Sequence, residues 1–186
     1  EICNQKQSGR CWMFAALNTL RYQVMKKYDL KTFELSQAYL FFWDKLEKSN
    51  YFLESILDTL DEPANGRLVS YLLMAPVNDG GQWDMLCNLI EKYGVVPKTA
   101  YPESKASSGS LREDACILRK LHKEGKGLDE LRAHKTRMLG EIYRLLCICL
   151  GEPPKTFTFE YRDKDNNFHR EEGLTPKSFF EKYVGV

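Results

Sequence analysis

The stretch Asn4–Trp12, NQKQSGRCW, decides how the whole chain is interpreted. It places a glutamine six residues before a cysteine and a tryptophan directly after that cysteine. Apolar residues then recur at three- and four-residue spacings, which predicts a helix over Gly9–Tyr28. The question is whether Cys11, at the start of this helix, packs in a core or acts as a nucleophile.

The position of Cys11 favours nucleophilic chemistry. The first turn of a helix carries unpaired backbone N–H groups and the positive end of the helix dipole, and both favour an anion such as a thiolate. Acyl transfer also needs donors directed at the oxygen that becomes negative. The backbone N–H of Cys11 and the side-chain amide of Gln5 are the candidate donors. The alternative is a buried thiol, the usual role of a single cysteine near a helix start.

Composition excludes several classes of protein. The 186 residues are 43% hydrophobic and 28% charged, with a formal net charge of +1, so we expect neither a nucleic-acid partner nor a membrane partner. The first residues lack the pattern of a secretory signal. Because the chain begins with Glu1 and not with methionine, we expect a fragment or a processed chain.

The remaining cysteines suggest no metal site. Cys147 and Cys149 lie two positions apart on a predicted helix and point to different faces, and no second Cys/His pair completes a ligand set. We therefore expect no metal and no cofactor. Cysteines within the predicted amphipathic helices, including Cys87 and Cys116, are expected to pack as small apolar groups.

The pattern along the chain predicts an α-rich α+β protein. Ser36 is the predicted N-cap of a helix that breaks briefly at Ser49-Asn50 and then continues. Further predicted helices have the sequences GRLVSYLLM (66–74), Trp83–Tyr93, Leu111–His122 and Leu128–Leu150. The segment TFTFEYR (156–162) alternates like a strand, FHR (168–170) is the predicted return strand, and Thr175-Pro176 opens a last helix. The polar stretch ESKASSGS (103–110) is the predicted linker.

Four motifs follow one another between Gln5 and Pro102: NQ-x5-CW, ELSQAYLFFWD, NDGGQWDML and GVVPKTAYP. In this order they resemble the papain-like cysteine peptidases. Further segments, from SGRCW to FTFEYRDKD, are similar to the bleomycin hydrolase branch of that family, the cytosolic aminopeptidases. The resemblance implies a helical lobe at 1–103, a linker and inserted helical segment at 104–154, and a β-hairpin with the start of a helix at 155–186.

Two departures from the secreted members bear on localisation. Those members carry a disulfide between the positions that Ser8 and Asn78 occupy here. The loss of both cysteines is what a reducing compartment permits, so we expect a cytoplasmic protein.

The catalytic base is the missing part of the pattern. The resemblance implies a histidine and an orienting asparagine. His122 and His134 lie in charged helical stretches, and His169 lies in NNFHREE, with no Asn-Ser-Trp-Gly after it. We expect the base and the asparagine beyond Val186, and little or no hydrolysis by this chain alone.

The resemblance implies a cysteine aminopeptidase that removes N-terminal residues from peptides through an acyl-enzyme. The candidate site residues are Cys11 and Gln5 for catalysis and Gly80, Gly81, Asp79 and Trp12 for substrate binding. A homohexamer, inactivation of bleomycin and hydrolysis of homocysteine thiolactone are also implied. The alternatives are an inactive truncated fragment that binds peptides or takes part in assembly, and a helical interaction module in which Cys11 is buried.

Overall fold

The structure, a computed structural model, describes residues 9–103 and 111–185, with 111–113 described by their backbone only. Its elements, in chain order, are α1 (Cys11–Lys27), α2 (Gln37–Asp58), α3 (Arg67–Met74), α4 (Trp83–Tyr93), α5 (Leu111–Lys123), α6 (Leu128–Leu150), β1 (Phe157–Arg162), β2 (Phe168–Leu174), α7 (Pro176–Phe179) and a π-helical turn (Phe180–Val184). The predicted α-rich α+β class is confirmed. Within these described ranges, no helix is both long enough and apolar enough to cross a membrane.

The chain divides into two compact units. Unit 1 comprises Glu1–Trp43, Asp79–Ser104 and Glu152–Val186, and unit 2 comprises Asp44–Asn78 and Lys105–Gly151. Helix α2 contributes residues 37–43 to unit 1 and 44–58 to unit 2. The predicted boundaries at 103/104 and 154/155 stay predictions, and the predicted linker lies outside the described residues from position 104 onward.

Aromatic side chains form the core of unit 1 around the β-hairpin. Strands β1 and β2 pair antiparallel, with an irregular register between Phe157 and Phe159. The ring of Phe159 lies 5.1 Å from the rings of both Phe179 and Tyr183 and 5.9 Å from that of Phe33. These separations are typical of favourable aromatic pairs, so the hairpin is held by ring packing as well as by its ladder of hydrogen bonds.

The start of α2 is fixed within unit 1 by Ser36. The backbone N–H of Tyr39 donates to Oγ of Ser36 at 3.1 Å, which confirms the predicted N-cap. The same hydroxyl donates to the carbonyl of Tyr101 at 2.5 Å, and Leu35 forms a β-bridge with Pro97. The extended segment after α4 therefore runs beside the residues that precede α2.

Unit 2 is built on an apolar cluster from the second half of α2, from α5 and from α6. Its buried members are Phe52, Leu53, Ile56, Leu57, Ala115, Leu118, Leu131 and Met138. The guanidinium of Arg119 donates to the carbonyl of Thr59 at 2.9 Å, and Glu54 forms ion pairs with Arg132 and Lys135. Helix contacts across this cluster, with charges at its edge, stabilise unit 2.

Two predicted boundaries were wrong for local reasons. Helix α2 continues through Ser49-Asn50, because the hydroxyl of Ser49 donates to the carbonyl of Lys45 at 2.7 Å and is satisfied within the helix. Strand β2 extends to Leu174, well past the predicted FHR, because its pairing with β1 continues to the partner of Phe157. The predicted cap at Thr175 is confirmed, since the backbone N–H of Ser178 donates to its Oγ1 at 3.1 Å.

Candidate active site

The first turn of α1 presents Cys11 to solvent. The backbone N–H of Phe14 donates to the carbonyl of Arg10 at 3.0 Å and thereby closes the first turn around Cys11. The side chain of Cys11 is exposed, whereas the neighbouring Met13 is fully buried and anchors the turn in the core. The structure thus contradicts the alternative of a buried thiol at this position.

A backbone hydrogen bond and a close side-chain contact bring Asp79 and Gly80 to Gly9, two residues before Cys11. The N–H of Gly80 donates to the carbonyl of Gly9 at 3.2 Å. A Cβ on Gly9 would lie 2.8 Å from Cγ of Asp79, a distance that real Cβ contacts do not reach. Gly80 has a φ of +88°, a conformation that glycine adopts without strain.

The indole of Trp12 lies against Gly81. A Cβ at Gly81 would lie 2.8 Å from Cζ2 of the indole, so only a glycine permits this approach. The structure therefore brings five predicted site residues to the start of α1. Asp79 and Gly80 contact Gly9, two residues before Cys11, and Gly81 lies beside Trp12. The sixth, Gln5, lies outside the described residues, as does Ser8.

A cavity of about 250 Å³ lies next to Trp12. Its lining is Trp12, Ala15, Ala16, Thr19, Gln82, Trp83 and Leu86. Trp83 is 61% exposed, whereas Leu86 is buried, so the cavity has an apolar floor and an open rim. A space of this kind, lined by Trp12 and by Gln82 directly after the glycine pair, can accept an apolar side chain.

The three histidines contact groups other than Cys11. Nε2 of His169 lies 3.1 Å from Oδ2 of Asp163, and its ring stacks on Tyr161 with centroids 4.6 Å apart. The hydrogen bond from His169, followed by that from Asn167, lowers the pKa of Asp163 to about 2. His122 contacts Asp61, and His134 contacts Arg137.

The prediction that cysteines in the amphipathic helices pack as small apolar groups was wrong for two of them. Cys87 and Cys116 are exposed. Each follows directly after a buried residue, Leu86 on α4 and Ala115 on α5, and a step of one residue along a helix leaves the buried face. Among the described residues, no group of three or more histidine, cysteine, aspartate or glutamate side chains could hold a metal ion.

Sequence reasoning missed Arg10 and Glu103. Nη1 of Arg10 donates to both carboxylate oxygens of Glu103, at 2.9 Å and 3.1 Å. The two residues are 93 positions apart, so no spacing rule connects them. The only available signal was an arginine placed directly before the cysteine.

Comparison with known proteins identifies the family. The model of the Peptidase C1-like family matches residues 1–186. The chain belongs to the Peptidase C1-like family. This confirms the resemblance to cysteine peptidases and the corresponding fold class.

Individual members of the Peptidase C1-like family match over nearly the whole chain. Aminopeptidase C of Listeria monocytogenes is 57% identical over an alignment of 196 positions, which covers 100% of this chain and 44% of that protein. Bleomycin hydrolase of Rattus norvegicus is 50% identical, covering 98% of this chain and 43% of that protein. A crystal structure of PepW from Lactobacillus rhamnosis superposes with a TM-score of 0.94 at 54% identity, covering 100% of this chain and 44% of that one. The chain thus spans less than half the length of these relatives.

Proposed function

We propose that this chain carries the nucleophile of a cysteine aminopeptidase, and that the nucleophile is Cys11. The observation that supports this most directly is an exposed thiol in the first turn of α1, with the Gly80–Gly81 segment hydrogen-bonded to the residues before it. Relatives that match nearly the whole chain are named Aminopeptidase C and Bleomycin hydrolase, which favours removal of N-terminal residues from peptides.

In the proposed reaction the thiolate of Cys11 attacks the carbonyl carbon of the first peptide bond. A C–S bond forms while the carbonyl electron pair moves to oxygen, where the N–H of Cys11 and the amide of Gln5 donate hydrogen bonds. Collapse of this intermediate breaks the C–N bond, and the departing amine takes a proton from an imidazolium. Water then attacks the thioester and gives a proton to the imidazole, the C–S bond breaks, the N-terminal residue leaves as a free amino acid, and the thiolate of Cys11 is regenerated.

The substrate is proposed to bind as an extended strand along Gly80 and Gly81. Because a glycine has no side chain, a peptide can approach its backbone closely and pair with it as an added strand. The indole of Trp12, which lies against Gly81, would form one wall of this binding site, and the side chain of Asp79, close to Gly9, would lie at its start. The cavity beyond Trp12 accepts an apolar side chain of the substrate.

The imidazole is not assigned to any of the three histidines, because each is engaged by another residue. We therefore expect the isolated chain to hydrolyse amides slowly or not at all. Oligomerisation to a hexamer, a cytoplasmic location, bleomycin inactivation and thiolactone hydrolysis stay predictions of the sequence.

The test is a chimera in which this chain replaces the matched part of Listeria Aminopeptidase C. We expect the chimera to release aminomethylcoumarin from a leucine amide with a free amino group, and not from its N-acetylated counterpart. Cys11→Ser should lower kcat/KM at least about a thousandfold, and Gln5→Ala should lower kcat about 100- to 1,000-fold. A folded chimera without activity, or one in which Cys11→Ser retains activity, would contradict the proposal.

A further inference from the structure

The side chain of Arg10, directly before Cys11, is largely withdrawn from solvent. Nη1 donates to Oε2 of Glu103 at 2.9 Å and to Oε1 at 3.1 Å. The Arg10 side chain is 14% exposed and that of Glu103 is 37% exposed. Because most of the Arg10 side chain is buried, solvent screens this ion pair less than it screens a pair of two fully exposed side chains.

Two aromatic rings complete the surroundings of the Arg10 guanidinium. Its central carbon lies 5.5 Å from the ring centroid of Phe14 on α1 and 5.1 Å from that of Phe41 on α2. Both distances are within the range of cation–π attraction. Arg10 therefore joins three parts of unit 1: the first turn of α1, the start of α2 and the segment that ends at Glu103.

The acceptor Glu103 follows a segment that is itself fixed. Two residues before it, the carbonyl of Tyr101 accepts a hydrogen bond of 2.5 Å from the buried hydroxyl of Ser36. Tyr101 is 4% exposed and packs edge-on against Tyr39. The Arg10–Glu103 pair consequently connects the nucleophile helix to the N-terminus of α2 through one carboxylate.

Helix α1 has no side-chain cap of the usual kind. Arg10 occupies the N-cap position and makes no capping hydrogen bond from its side chain to the helix. Ser, Thr, Asp and Asn normally supply such a bond and limit fraying of the first turn. The contacts of Arg10 with Glu103, Phe14 and Phe41 hold this turn in place of a cap.

We propose that Arg10 is a positioning residue for Cys11, a role that rests on the proposed function of that thiol. Arg10 holds the first turn of α1 so that the thiol stays at the helix N-terminus and beside Gly80–Gly81. It acts through Glu103 and does not contact the substrate.

Amide exchange tests the positioning directly, whatever the chemistry of Cys11. In Arg10→Met and in Glu103→Gln, the N–H of Phe14, whose acceptor is the Arg10 carbonyl, should exchange with deuterium about two- to fivefold faster. Lys26→Met is the matched control, because it removes one positive charge from the exposed C-terminal end of the same helix. Unchanged exchange at Phe14 in the two test variants would overturn the proposal.

Alkylation of Cys11 by iodoacetamide then distinguishes a positioning effect of Arg10 from an electrostatic effect of its charge. Arg10→Met removes a positive charge near Cys11 and Glu103→Gln removes a negative one, so a purely electrostatic effect would change the Cys11 rate in opposite directions. Loss of position should lower the Cys11 rate about two- to fivefold in both variants. The exposed Cys87 in the same unit serves as the internal reference.

The two hypotheses fail in different measurements. If Cys11 in the unaltered chain reacts no faster than Cys87, the proposed function fails while the exchange result still decides the role of Arg10. If Cys11 is fast and the two variants leave its rate unchanged, or move it in opposite directions, the positioning role of Arg10 is wrong.

Discussion

The two units of the chain are stabilised by different kinds of contact. Unit 1 has an aromatic core around its hairpin, but around the candidate site it depends on polar contacts between residues far apart in sequence. Examples are the contacts of Arg10 with Glu103 and of Ser36 with Tyr101, and the side chain of Asp79 also approaches Gly9 closely. Unit 2 depends on an apolar cluster between helices and on charges at its edge. The position of single atoms therefore determines stability around the candidate site, whereas the buried volume of the apolar side chains determines the stability of unit 2.

The largest effect is expected in the core of unit 2. Leu118 is fully buried in the apolar cluster, so Leu118→Ala should lower the free energy of unfolding by about 2–5 kcal/mol through lost burial and a residual cavity. Ile117, the preceding residue on α5, is 46% exposed. Ile117→Ala is the control and should change stability by less than about 0.5 kcal/mol. Urea unfolding followed by circular dichroism measures both, and equal losses would contradict the assignment of this core.

A single added methyl group should distinguish the two units by sign. Gly9→Ala places a Cβ against Asp79 and should cost about 1–3 kcal/mol through overpacking. Gly140 on α6 has open space around it, so Gly140→Ala should stabilise its helix by about 0.5–1 kcal/mol. The same unfolding measurement applies. Stabilisation by Gly9→Ala would show that the close approach to Asp79 is not required.

The smallest effect is a pH dependence of unit 1. Folding lowers the pKa of Asp163 from its usual value near 4 to about 2, chiefly through the hydrogen bond with His169. The corresponding stabilisation is complete above about pH 4 and is lost as the pH falls toward 2, because the unfolded state binds the proton first. In Asp163→Asn, the midpoint of urea unfolding should therefore change less with pH between about pH 4 and pH 2 than it does in the unaltered chain. An identical pH profile in the variant would contradict this role of the Asp163–His169 pair.

The fold was predictable where local chemistry determines it. Helix α4 begins after Gly80-Gly81 and ends at Gly94, whose φ of +75° requires the left-handed region that glycine favours, so both boundaries were predicted at the observed residues. The break at Ser49 was predicted wrongly, because a serine hydroxyl can bond within a helix as well as interrupt it. Which of the two occurs depends on how deeply the serine is buried in the folded protein, and the local sequence does not specify this.

The candidate site was predictable only in part. Cys11, Trp12 and the glycine pair stand in recognisable motifs, and the structure brings them together. Glu103 stands in no such motif, and its contact with Arg10 depends on the tertiary structure, in which Tyr101, two residues earlier, is hydrogen-bonded to Ser36. Exposure of Cys87 and Cys116 was missed because one helical step separates them from the buried faces of α4 and α5.

The most direct test of Cys11 as the nucleophile is the rate at which iodoacetamide alkylates each thiol of the chain near neutral pH, followed by mass mapping. Cys11, Cys87 and Cys116 are all exposed, so access to the reagent does not by itself distinguish them. We predict that Cys11 reacts at least about threefold faster than the other two, because only Cys11 lies at a helix N-terminus. Alkylation of Cys11 at the same rate as Cys87 and Cys116, or more slowly, would contradict its assignment as the nucleophile.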